Sequence, residues 1–67
     1  MISYKPFWET LKKRGITPYA LVHKLGIPNG TLARMKHDKS VTVETVNRLC
    51  KVVQCRVEEV MVYIEDQ

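Results

Sequence analysis

Three clusters of chain-breaking residues divide this sequence into short stretches: Gly15, Gly26-Ile27-Pro28-Asn29-Gly30 and His37-Asp38-Lys39-Ser40. Glycine frees the backbone and proline removes an N–H, so regular structure ends where they gather. Between the breaks the apolar residues recur mostly at helical spacing. The pattern therefore restricts the chain to a few short helices folded over one another. With 67 residues there is one domain, spanning 1–67. A chain this short hides only about 60% of the surface it exposes when unfolded, so the core must be compact. Its apolar share of 45% and charged share of 27% suit a folded globule rather than a disordered segment.

The first helix is expected from about Lys5 to Arg14. Pro6 suits a first turn, where its missing N–H has no intrahelical partner to lose. Phe7, Trp8 and Leu11 share a face, and Lys12, Lys13 and Arg14 load the last turn, where the helix dipole favours cations. Gly15 ends the helix. Thr17-Pro18 is a second start signal, a capping hydroxyl followed by proline, for a helix from about Pro18 to Leu25 with Leu21 and Leu25 inward. A third covers about Asn29 to Lys36, with Leu32 and Met35 inward. A fourth starts after Thr42, with Val43, Val46, Leu49, Cys50 and Val53 as its apolar stripe. The opening of that segment, Val41 to Val46, also alternates like a strand, but the helical spacing continues to Val53. A fifth short helix is expected from about Val57 to Val62, burying Val57, Val60 and Met61. Ile2-Ser3-Tyr4 and Met61-Val62-Tyr63-Ile64 can each form a short strand, paired within one chain or between two. The expected fold is thus all-α: five short helices with possible terminal β-strands.

Charge is unevenly spread. Residues 1–39 hold eight basic residues against Glu9 and Asp38, a balance of +6; residues 40–67 hold three basic against five acidic residues, a balance of −2. A basic half joined to an acidic half points to one face that meets a polyanion, with an accidentally biased solvated surface as the plainer reading. Cys50 and Cys55 sit among apolar residues and do not form the dense framework of a stapled secreted domain. The first residues lack the apolar run of a signal peptide, and no stretch has the length of a membrane span. A reducing cytoplasm fits best.

The segment about 17–36 places two short helices on either side of a tight turn, with Leu21, Leu25, Ile27, Leu32 and Met35 meeting in the angle and Gly26 at the reversal. Here the sequence resembles the lambda-repressor/Cro type of helix-turn-helix domain, and in particular the compact stand-alone bacterial regulators of the XRE class. The likeness runs through Gly15-Ile16-Thr17, Leu25-Gly26-Ile27, Thr31-Leu32-Ala33, Val41-Thr42-Val43-Glu44-Thr45-Val46, Leu49 to Cys55 and Val57-Glu58-Glu59-Val60. It departs at Val22, where alanine is common; at Pro28, where a capping serine or threonine is common; and at Arg56, where a polar cap is usual. Pro28 has no side-chain acceptor, which leaves Asn29 to take the cap and start the helix one residue late.

The resemblance implies sequence-specific binding of double-stranded DNA, with the third helix in the major groove and its first residues nearest the base edges. Asn29, Gly30, Thr31 and Arg34 are then the candidates for base contact. Asn bridges adenine N6 and N7, Arg grips guanine O6 and N7, Thr meets a thymine methyl or a base edge, and Gly lets the backbone approach. Asn29-Gly30 alone also reads as a hairpin turn. Thr17, Tyr19, Lys36 and Lys39 are the candidates for phosphate contact, which positions a protein without reading sequence. Tyr19 can instead seal the core edge, and each lysine can be merely solvated. The resemblance further implies a homodimer, formed through the C-terminal half, on a pseudo-palindromic operator. Val62, Tyr63 and Ile64 offer apolar surface for it, or else close the monomer's own core.

No catalytic constellation is visible. His23 and His37 are far apart, the two cysteines lack CxxC spacing, and there is no phosphate loop or nucleophile elbow. No enzyme activity, metal or cofactor is expected. The competing reading is an antitoxin or adaptor that grips a partner protein with the same fold.

Overall fold

The structure, a computed structural model, describes residues 1–65. Strand β1 (Ile2–Ser3) leads into α1 (Lys5–Arg14), α2 (Pro18–His23), α3 (Asn29–Lys36) and α4 (Val43–Val53); a single 3₁₀ turn (Val57–Glu59) and β2 (Val62–Tyr63) close the described chain.

The capping chemistry accounts for most of these boundaries. α1 starts at Lys5, with Pro6 in its first turn, and ends at Gly15 in the left-handed conformation (φ 67°). There the N–H of Ile16 reaches back to the Leu11 carbonyl at 2.9 Å, satisfying an acceptor that the helix end would otherwise leave open. Thr17 caps α2 as its sequence suggests, its hydroxyl accepting from the Ala20 N–H at 3.1 Å. Thr42 does the same for α4 from Thr45 N–H, also at 3.1 Å. The strand-like opening of Val41 to Val46 is therefore resolved as helix: Thr42 fixes the start, and Val46, Leu49 and Val53 then bury one stripe.

Three expectations are corrected. The fifth helix is only a 3₁₀ turn, so the described chain has four α-helices. Val62 is drawn into extended pairing with β1, which stops helical winding, and Val57 is exposed. The stripe of α4 begins at Val46, because Val43 lies in the first turn before the helix reaches the core and is 84% exposed. α2 stops at His23 rather than near Leu25. The N–H groups of Lys24 and Leu25 both bond to the Ala20 carbonyl, and the chain winds into a turn before Gly26 (φ 74°) reverses it.

The terminal strands pair with each other within the chain. They are antiparallel, with Ile2 opposite Tyr63 and Ser3 opposite Val62, and Ile64 N–H donates to the Met1 carbonyl at 2.7 Å. Val62, Tyr63 and Ile64 remain exposed, so they do not close the core. The core is instead Tyr4, Phe7, Leu11, Leu21, Ile27, Leu32, Met35, Val46, Leu49, Val53 and Val60. Fully burying one such side chain is worth about 1.5–3 kcal/mol, and all four α-helices contribute to this cluster.

Two polar contacts tie the elements together. The buried Thr10 hydroxyl lies 2.8 Å from both the Pro6 and the Glu59 carbonyls, joining α1 to the 3₁₀ turn. Arg48 of α4 donates from Nη2 to the Gly26 carbonyl at 2.9 Å, so the elbow between α2 and α3 is braced from outside.

Candidate nucleic-acid interface

α3 is held by one side and displays the other. Leu32 and Met35, one turn apart, are buried against the core. Helical geometry then turns Gly30, Ala33, Arg34 and His37 outward, and all four are exposed. The centre of this face carries almost no side chain, because Gly30 and Ala33 occupy it. Helix backbone can therefore approach a flat partner closely there.

The first turn of α3 has no side-chain cap. Pro28 occupies the cap position and Asn29 is the first helical residue, so the expected late start with Asn29 as the cap is corrected. Proline fits because its carbonyl still accepts from Thr31 N–H, at 3.1 Å, while its ring fixes the entry angle. The exposed Asn29 amide is consequently left to bond outward. At the other end, Asp38 adopts the left-handed conformation (φ 55°), and Lys39 N–H bonds to the Arg34 carbonyl at 2.8 Å. This sharp stop places Lys36, His37 and Lys39 together in exposed positions beyond the last core contact.

Arg34 is partly pre-set. Its Nε donates to the Ser40 carbonyl at 2.9 Å, which holds the guanidinium against the loop that follows α3. Arg34, Thr31, Ser40, Thr42 and Thr45 line a shallow hollow of about 350 Å³ between α3 and the start of α4. Thr31 is half-buried on this flank rather than central on the outward face. On the opposite flank, Asn29, Gly30, Ala33 and Lys36 wall a second hollow with Trp8 and Pro18.

The candidate residues thus form two neighbouring groups along α3, one with Thr31 and Arg34 and one with Asn29, Gly30 and Lys36. Thr17 borders a further hollow beside Pro18, its hydroxyl oxygen engaged as the α2 cap. Tyr19 is 69% exposed, with its ring 4.3 Å from the His23 ring on the outside of α2, so it does not seal the core edge. Lys39 lies past the end of α3 and lines none of these hollows. Among the described residues, Arg34, Lys36 and Lys39 form no salt bridge, so no carboxylate there neutralises their charge.

Ala33 and Arg48 are the residues that the sequence reading missed. Ala33 follows Gly30 by three and Asn29 by four, a spacing that places it on the same face. The Arg48 contact joins residues 22 positions apart and leaves no local signal.

The cysteines line none of these hollows. Both are free and half-buried, and burial pushes the Cys55 thiol up to about 11, with the proximity of Cys50 and then Glu59 adding to it. Such a thiol is protonated and a poor nucleophile or metal ligand. Among the described residues no group of three or more histidine, cysteine or acidic side chains is placed to hold a metal ion, and no helix is long and apolar enough to cross a membrane.

A short α2, a glycine elbow and an exposed α3 seated on a helical scaffold define a helix-turn-helix domain. The profile of the Cro/C1-type HTH DNA-binding domain matches residues 7–66, and the chain belongs to that family. Among solved structures, the fold is similar to that of the transcriptional regulator VanUg, with a TM-score of 0.85 at 18% identity over 97% of this chain and 87% of that one. No curated protein sequence matches the chain.

Proposed function

We propose that this protein is a transcriptional regulator that binds double-stranded DNA sequence-specifically, with α3 in the major groove. The observation that carries this reading is the outward face of α3. It is an exposed rod with small residues at its centre, a braced arginine on one flank and cations at its end. Arg34 is suited to the O6/N7 edge of guanine and Asn29 to the N6/N7 edge of adenine. Ala33, with a bare methyl, is suited to a thymine methyl. Lys36 and Lys39, with Thr17 at the cap of α2 and Tyr19 within it, are the side chains proposed to meet phosphates and set the register.

A single α3 makes few base contacts, so the reading includes a homodimer on a pseudo-palindromic operator, its half-sites about one helical turn apart. The supporting feature is the terminal ribbon, where Ile2, Val62, Tyr63 and Ile64 expose apolar surface on the C-terminal side.

Selection of bound sites from random duplexes, repeated at two salt concentrations, tests the proposal. Enrichment of a defined motif at both concentrations, with two related half-sites, is the expected result. Recovery of unselected sequence at low salt, and of nothing at higher salt, removes the specific reading in favour of backbone binding alone. No recovery under either condition favours an adaptor that binds protein.

A further inference from the structure

Trp8 packs against the core yet keeps part of its surface open. It lies on α1 next to the fully buried Phe7, whose ring meets it nearly edge-on at 5.2 Å, yet Trp8 itself is only half-buried. Its indole N–H makes no hydrogen bond to the described residues. The ring and Pro18 together form a ridge between two adjoining grooves. One, of about 470 Å³, runs between that ridge and Asn29, Gly30, Ala33 and Lys36 of α3. The other, of about 390 Å³, is bordered by Lys12 and Thr17. No carboxylate lines either groove.

We infer that Trp8 and Pro18 form a contact surface for one sugar-phosphate strand of duplex DNA, the strand that flanks the major groove beside α3. This rests on the reading that α3 enters that groove. The far wall of the larger groove is α3 itself, so a strand on this flank of the inserted helix would pass over Trp8. The chemistry of the walls matches a DNA backbone. The indole and Pro18 rings offer apolar area to deoxyribose carbons, while the indole N–H and the Asn29 amide offer donors to phosphate oxygens. Lys36 and Lys12 add positive charge on the two sides. A tryptophan seated in this way combines large contact area with little conformational freedom to lose, which is why it dominates many interfaces.

Trp8 is the chain's one tryptophan, so its emission reports on this site alone. A mixed-sequence duplex of about 20 base pairs, labelled at one end with a dye, is titrated at low salt, where backbone binding is strongest. Dye anisotropy reports binding, and acrylamide quenching of Trp8 reports cover. As the duplex saturates, quenching is expected to fall several-fold. Trp8→Ala should weaken binding about tenfold. Trp8→Phe, which keeps a ring but loses the N–H, should fall between Ala and the parent, and circular dichroism confirms that each variant is folded. Saturating anisotropy with Trp8 still as open to acrylamide as in the free protein overturns the inference and leaves DNA binding intact. Unchanged affinity in the folded Trp8→Phe and Trp8→Ala proteins does the same. If anisotropy does not rise at all, the functional reading falls as well.

Discussion

α3, of 8 residues, and α4, of 11, follow one another in the chain, yet they are built for opposite ends. α4 has a threonine cap, buries Val46, Leu49 and Val53 along one stripe, and ends in a left-handed Gln54. α3 has no side-chain cap, buries only Leu32 and Met35, and leaves its outward face to Gly30 in the first turn and Ala33 after it. A side-chain cap is worth about 0.5–2 kcal/mol, so α3 forgoes local stability that α4 collects. The difference separates holding from touching. α4 keeps the domain folded, and α3, carried by that scaffold, keeps an open face.

Three substitutions can break or sharpen this division. Leu49→Ala empties a fully buried position of α4 and should destabilise the fold by about 2–5 kcal/mol, read as a lower urea midpoint. An effect as large from Arg34→Ala would erase the distinction. Arg34→Ala should instead weaken preferred DNA sites by about 1–3 kcal/mol and relax choice at one base position, with the melting temperature little changed. Retention of full sequence preference would remove Arg34 from the readers. Lys36→Ala should have the smallest effect, lowering affinity across all sequences and reducing the salt slope by about one unit. A change in preference without a change in slope would move Lys36 from the backbone to the bases.

How much of this was legible beforehand depended on the range of the determining contacts. Thr17-Pro18, Gly15, Gly26 and Thr42 act on their own neighbours, and they fixed the end of α1, the starts of α2 and α4 and the place of the elbow. Periodicity found most of the core but extended the α4 stripe to Val43. Spacing cannot tell that the first turn of a helix has yet to reach its neighbours. Val57 to Val62 looked helical because the pull of β1 on Val62 comes from the other end of the chain. Tyr4, expected in a strand, turned out to be a core residue at the entry to α1. Within the candidate site, residue types suggested Asn29, Thr31 and Arg34, while exposure and neighbouring walls were needed to distinguish flank from face and to bring in Ala33 and Trp8.

The Arg48 bond to the Gly26 carbonyl has a consequence for how this motif can be transplanted. Residues 17–36 carry the elbow's sequence but not the side chain that steadies its carbonyl. Moved alone into a foreign host, they would arrive with a loose hinge. The smallest portable reading head is therefore the pair of helices together with α4, and hosts that supply a guanidinium at the equivalent spot should accept the graft best.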